Sequence, residues 1–427
     1  MDIGNADRQP AAQYLPLRKV AAVGIGNALE FYDFITFSFF SIQIGHNFFP
    51  ISQTSHGLLF TLATFGVGFL TRPLGGFLIG GYGDRAGRKP AMMLSFLLMG
   101  FAILGLALTP SFASIGIAAP ILLLAFRLLQ GLALGGQVGP STAYLVEAAP
   151  PLQRGLYVAL QFATQDSAIL MAGIVGFVLS SLLSPEALDA WGWRLALLLG
   201  TAVVPLGLYM RSSLPETFAS ADNAAAAPAE RQVPLLLIVL ALMMLGAGTI
   251  ANYVLIYLTT YAQDSLRLAT SVAFAATIVN GVFAVFGDIA SGILSDRVGR
   301  KPLMLSAVAL LILLVVPSFM AMEHFRSAVA LYAATAVLTL LLSGAIGPAL
   351  VTVTETLPKV VRSGALAVIY VVAIAVAGGS TQFTIKWLSD ATGNPLAPAW
   401  YVTGALVIGA VAMLIVGESA PVKTARY

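Results

Sequence analysis

The sequence predicts an all-α polytopic membrane protein, with twelve transmembrane helices in two six-helix halves. Three observations carry the prediction. The 427-residue chain is 58% hydrophobic and only 10% charged, whereas a soluble domain carries about 25% charge. Its apolar residues gather into runs that match the roughly 20 residues a helix needs to cross a bilayer. One stretch also occurs twice, about half the chain apart: Gly80-Gly81-Tyr82-Gly83-Asp84-Arg85-Ala86-Gly87-Arg88-Lys89-Pro90 and Gly292-Ile293-Leu294-Ser295-Asp296-Arg297-Val298-Gly299-Arg300-Lys301-Pro302. Both read G-x-x-x-D-R-x-G-R-K-P. A second pair repeats with them, Glu147-x-x-Pro150-x-x-x-Arg154 and Glu355-x-x-Pro358-x-x-x-Arg362. Repeats of this size organise a fold, and two repeated membrane halves point to a secondary transporter.

The runs predict spans at 20–43, 57–80, 91–110, 116–145, 155–183, 193–212, 234–262, 269–293, 302–322, 327–350, 362–388 and 397–417. An even number places both termini on one side. Most of the 22 basic residues fall in segments on the terminal side, among them Arg85, Arg88, Lys89, Arg297, Arg300 and Lys301, whereas Arg194, Arg267 and Arg326 fall on the other. That bias predicts cytoplasmic termini. Residues 213–233, with Ala224 to Ala227 and Pro228, read as a polar linker between an N-terminal half, 1–212, and a C-terminal half, 234–427.

Composition also narrows chemistry. Cysteine is absent, which removes disulfides, thiol nucleophiles and cysteine metal sites. His46, His56 and His324 lack metal-ligand spacing, so no metal or other cofactor is expected. No P-loop or nucleophile elbow occurs, so neither an enzyme nor a nucleic-acid binder is expected. Residues 1–16 do not read as a signal peptide, and the first apolar run is expected to stay as an anchor.

Charges at membrane depth are expensive and by default functional. Glu30 and Asp33, spaced i, i+3, share a helix face. Glu30, Arg127 and Asp166 each fall about 15–16 Å into their runs at 1.5 Å per residue. A buried carboxylate that gains and loses an arginine partner takes and releases a proton, so Glu30, Asp33 and Asp166 are the proton-coupling candidates. The planar fork of Arg127 suits a carboxylate. Gln161 and Gln165, at i and i+4, present amides at similar depth. Asn27, Gln130 and Tyr253 supply further polar groups for substrate, and Lys386, late in the eleventh run, reads as a snorkelling lysine or a second cation. Arg72 reads as a structural contact toward the inner end of the second run. In the repeated loop Gly80, Gly87, Gly292 and Gly299 permit tight turns and close approach. Asp84 and Asp296 suit a helix N-terminus, and Arg85, Arg88, Arg297 and Arg300 anchor the loop.

The doubled loop resembles the signature of the major facilitator superfamily, where it joins the second helix to the third and the eighth to the ninth. The resemblance covers nearly the whole chain and implies the major facilitator fold, alternating access and a monomer. It also implies that the loops and the paired Glu147, Arg154, Glu355 and Arg362 gate the cytoplasmic side. Arg127-Leu128-Leu129-Gln130-Gly131 is similar to the R-x-x-Q-G pattern of the superfamily's fourth helix. Gly26-Asn27-Ala28-Leu29-Glu30-Phe31-Tyr32-Asp33-Phe34 and Trp191-Gly192-Trp193-Arg194 resemble the metabolite–proton symporters, and bacterial citrate–proton symporters most of all.

The chain departs from that group at Gln137, where Glu is expected, and at Asp166, where Gln is expected. The resemblance implies proton-driven uptake of an organic anion, citrate or a related tricarboxylate, across the bacterial cytoplasmic membrane. Sodium coupling stays open. So do a dicarboxylate, an aromatic acid, a betaine-type zwitterion and a passive facilitator. A drug–proton antiporter fits less well, since the fifth run has Gly173 and Gly176 but lacks the G-x-x-x-G-P pattern.

Overall fold

The computed structural model describes residues 31–49, 54–86, 88–135, 149–202, 232–358 and 361–424, with isolated positions at 28, 142, 145–146 and 205. Within these residues no strand occurs, and every predicted apolar run coincides with helix. In chain order the helices are α1 (31–48), α2 (Thr54–Val67, continuing as Arg72–Ala86), α3 (Arg88–Leu108), α4 (Ala118–Leu134), α5 (Arg154–Leu182) and α6 (Trp193–Gly200). After the connecting segment come α7 (Leu235–Asp264), α8 (Thr270–Val298), α9 (Arg300–Phe325), α10 (Ala328–Thr356), α11 (Arg362–Thr392) and α12 (Ala397–Ile415). Eight described helices meet the length and apolarity needed to cross a membrane. The face where α2 meets α3 and α8 meets α9 is the motif face below.

Several helices overrun their apolar runs on the motif face. The second predicted run ends at 80 but α2 continues to Ala86, and the eighth ends at 293 but α8 continues to Val298. A helix need not stop where hydrocarbon does, because its backbone hydrogen bonds are satisfied internally in either medium. The overrun matters for function: it shifts which residues lie at mid-membrane.

α5 packs along α8 for nearly its full length, and this contact joins the first six helices to the last six. It is lined by glycine because two backbones approach closely, as expected of membrane helices. At Gly281 an added Cβ would lie 2.6 Å from the Leu170 Cα, and at Gly173 it would lie 2.9 Å from the Ile278 nitrogen. A second inter-set contact pairs α2 with α11, where a Cβ on Gly66 would fall 2.1 Å from the Gly379 oxygen. On the face opposite the motif, Ser41 and Thr260 hydroxyls lie 3.2 Å apart, the Ser38 hydroxyl donates to Gln382 Oε1 at 2.8 Å, and Phe40 packs on Phe274.

α11 is not a uniform α-helix. Ile374–Gly378 form one π turn between Arg362–Ala373 and Gly379–Thr392. The Trp-Gly-Trp-Arg stretch has a structural role: Trp193 is fully buried, and Arg194 donates to the Ala107 and Thr109 carbonyls at 2.6 and 2.7 Å, closing the C-terminus of α3.

α2 and α4 also meet backbone to backbone. A Cβ on Gly75 would sit 1.9 Å from the Leu132 carbonyl oxygen. Gly75→Ala is therefore expected to destabilise the protein by about 1–3 kcal/mol, read as a lower melting temperature in detergent. Gly404→Ala on α12, where an added Cβ meets nothing within 4 Å, is expected to melt with the wild type.

Candidate functional site

A cavity of about 930 Å³, counted with its opening, lies between the two sets of six helices. Phe31 and Ile35 of α1, Arg72 of α2, and Phe162, Gln165, Asp166 and Ile169 of α5 line one wall. Asn252 and Tyr253 of α7, Asn280 and Asp288 of α8, Thr339 and Ser343 of α10, and Tyr370 of α11 line the other. Asp166, Asp288 and Arg72 lie about 18, 15 and 21 Å from the motif-face ends of α5, α8 and α2 at 1.5 Å per residue, so the cavity sits at mid-membrane depth.

Among the described residues Arg72 is the one cation lining the cavity. It is buried, and its guanidinium carbon stands 4.4 Å from the Phe34 ring centre and 4.2 Å from that of Phe69. Such stacking partly replaces lost hydration, with desolvated cation–π contacts contributing about 2 kcal/mol. Its Nε has no hydrogen-bond partner among the described residues, so a donor of a planar carboxylate-binding group remains unused. The sequence placed Arg72 toward the end of its span. The overrun of α2 to Ala86 places it mid-helix instead.

Arg127 lies elsewhere. It is fully buried behind Phe34, Phe37 and Phe65 and does not line the cavity. Its Nη1 donates to Gln130 Oε1 at 2.7 Å, and the Gln130 amide in turn donates to Asp33 Oδ2. Asp33, Arg127 and Gln130 thus form one polar chain from α1 to α4, closed inside the first six helices. Gln161 accepts from the Thr142 hydroxyl at 3.0 Å and is not on the cavity wall. Gln165, Asp166 and Tyr253 are on it. Lys386 is buried near the far end of α11, paired with Asp264 at 3.0 Å and Asp390 at 2.7 Å rather than reaching outward. Asn27 and Glu30 lie outside the described residues.

Asp288 is a carboxylate that sequence reasoning missed. It is 4% exposed and lines the same cavity as Asp166, which comes from the other side of the α5–α8 interface. The available signal was a charged residue in an apolar run, but Asp288 falls close to the end of the predicted span 269–293, where a carboxylate reads as interfacial.

The second copy of the repeated loop closes the motif face. Asp296 accepts from the Gly155 and Leu156 backbone amides at 2.9 Å each, so its charge sits on the N-terminus of α5. Negative charge is favoured there because the first helical amides have no partner within the helix. Arg300 bonds Asp296 at 2.6 Å and lies 3.5 Å from Glu355, which also lies 3.7 Å from Arg154. Two acidic residues, Asp296 and Glu355, and two basic ones, Arg300 and Arg154, therefore meet in one network. Gly299 adopts φ +112°, a conformation that favours glycine, and turns the chain between α8 and α9. Glu418, not singled out by the sequence, caps α9 by accepting from the Arg300 and Lys301 amides at 3.0 and 3.1 Å. Arg362 donates to the Leu357 carbonyl at 3.2 Å. Gly292 packs on Gly155, and Arg297 lies in the last turn of α8. In the first copy the backbone is helical at Gly80, Asp84, Arg85 and Arg88, whereas Gly87 and Glu147 lie outside the described residues.

A mid-membrane cavity between two helix sets, with interlocking contacts on both faces, defines a secondary transporter. The Major Facilitator Superfamily model matches residues 23–380. The chain is 32% identical over 426 residues to a citrate-proton symporter of Klebsiella pneumoniae, covering 94% of each chain. It is 32% identical over 408 residues to a putative proline/betaine transporter of Staphylococcus aureus, covering 92% of this chain and 86% of the relative. The solved xylose transporter of E. coli superposes with a TM-score of 0.77 at 19% identity, covering 94% and 97% of the two chains. The chain belongs to the major facilitator superfamily.

Because Lys386 pairs with Asp264 and Asp390 outside the cavity, Lys386→Gln is expected to cost about 1–3 kcal/mol of stability. A thermal melt checks the loss. Substrate KM in reconstituted vesicles is expected to stay unchanged.

Proposed function

We propose that the protein is a proton-coupled symporter that takes up a small organic carboxylate across the bacterial cytoplasmic membrane, with both termini in the cytoplasm. The observation that carries this reading is Arg72: a buried guanidinium on a mid-membrane cavity wall, with a donor free and aromatic faces around it. Arginine offers a fork of donors that matches a carboxylate in two parallel hydrogen bonds. Asn252, Asn280, Gln165 and Thr339 surround that position with neutral polar groups, which orient a substrate without adding charge. The likeness to a citrate-proton symporter supports citrate as the first substrate to test.

Transport follows from alternating access of an N-terminal half, 1–212, and a C-terminal half, 234–427, joined by the linker 213–233. The halves rock about the cavity. The clasp of Asp296, Arg300, Arg154 and Glu355 holds the cytoplasmic side shut, and its release opens that side. Asp33, Arg127 and Gln130 form a polar strut inside the N-terminal half that positions α1 behind the cavity. The protein works as a monomer in the bilayer, without metal or other cofactor.

A second reading rests on a specific observation. Asp166 and Asp288 line the same cavity as Arg72, so the cavity presents groups of both signs, as a zwitterion requires. The likeness to a putative proline/betaine transporter supports it.

The test is uptake of radiolabelled citrate into proteoliposomes under an acid-outside gradient, with 2-oxoglutarate, benzoate and glycine betaine as competitors. Accumulation of citrate only with the gradient is expected. Competition by betaine alone shifts the substrate to a zwitterion, and equal uptake with and without the gradient overturns proton coupling. Arg72→Ala is expected to raise KM about 10–100-fold, the equivalent of losing one charged hydrogen bond, and Arg72→Lys to raise it less. An unchanged KM removes Arg72 from the site.

A further inference from the structure

Asp166 and Asp288 are the only described carboxylates on the cavity wall, one from each set of six helices. Asp166 comes from α5 in the first six helices and Asp288 from α8 in the last six. Both side chains line the cavity, and Asp288 Oδ2 is buried with no hydrogen-bond partner among the described residues. Two carboxylates facing one buried cavity repel each other, so ionising both is disfavoured and a single proton shared between them relieves the repulsion. Every other charged or titratable described group facing the pair is accounted for. Arg72 faces it from α2, Tyr253 from α7 and Tyr370 from α11, while α1 offers Phe31 and Ile35 and α10 offers Thr339 and Ser343. Among the described residues no lysine or second arginine lines the cavity to hold two negative charges.

We infer that Asp166 and Asp288 share a single proton across the interface, and that this proton is the one coupled to substrate movement. The inference rests on the symport reading above and names its proton site. Asp33 and Arg127 make a poorer carrier: both lie within the first six helices, so rigid rocking leaves their surroundings unchanged. The α5–α8 pair is different. When the helices close, the carboxyls meet and retain the proton between them. When they part, each carboxyl meets water, the O–H bond breaks, and the proton leaves to solvent while both oxygens become carboxylates. Substrate and proton then leave on the same side, because one motion uncovers both.

The experiment pairs infrared spectroscopy with flux. Membrane-reconstituted wild type, Asp166→Asn, Asp288→Asn and the double variant are titrated with pH while the neutral-carboxyl stretch is followed. One band is expected, lost to the same extent in all three variants. A band that persists in both single variants, or losses that add, overturns the shared proton. In parallel, citrate accumulation under an acid-outside gradient and citrate counterflow without one are measured. Asp288→Asn is expected to lose accumulation at least tenfold and to keep counterflow. If Asp288→Asn loses both, Asp166→Asn decides: counterflow retained without accumulation supports the inference, and loss of both overturns it. Wild type that never responds to the gradient sinks the symport reading, whereas wild type that responds together with an equally responsive Asp288→Asn sinks only the carboxyl pair.

Discussion

A charge in the middle of a membrane has no water to answer it, and the arrangement of this protein depends on that constraint. Bilayer scales put the cost of an isolated arginine or aspartate there at several kcal/mol, so each such group must find an answer inside the protein. Arg127 finds aromatic faces, Gln130 and the Phe65 carbonyl. Lys386 finds two aspartates. Arg72 finds two aromatic rings and an aqueous-sized space. Arg72 and Arg127 each keep a buried Nε without a partner among the described residues, and what separates them is position: Arg72 lines the cavity, whereas Arg127 and Lys386 do not.

Glycine makes the close contacts possible. α5 and α8 approach until an added methyl would overlap the partner backbone, which brings Asp166 to Asp288 and Gly155 to Asp296. A wider interface would put water between these groups and relax both the carboxyl pair and the clasp on the α5 N-terminus. Packing between small residues is the physical means by which polar partners reach each other in lipid, where no hydrophobic force draws helices together.

Much of the fold was legible because hydrocarbon imposes a simple rule on sequence, and the doubled Asp84 and Asp296 loop exposed the repeat. The site was less legible. Gln165, Asp166 and Tyr253 were found from polarity in apolar runs, and they do line the cavity. Arg72 and Asp288 were misplaced or missed for a single reason: depth was counted from the edge of the apolar run, while α2 and α8 continue beyond it. Arg127 was drawn toward substrate by its chemistry, yet its environment is set by Phe34, Phe37 and Phe65, and tertiary contact of that kind leaves no local mark in the sequence. Glu418 caps α9 from more than a hundred residues away, and it too had no local signal.

The π turn of α11 bears on how this chain is compared with its kin. A π turn takes one more residue than an α turn to complete a hydrogen-bonded ring, so residues after Gly378 are rotated by about 100° relative to an uninterrupted helix of 3.6 residues per turn. Tyr370 precedes the turn and Gln382 follows it, so a gapless alignment of α11 with its repeat counterpart α5 matches the right face on only one side of the turn. Equivalences between the two repeats, and between this chain and relatives lacking the turn, therefore need a one-residue step at 374–378 before any residue beyond it is assigned a shared role.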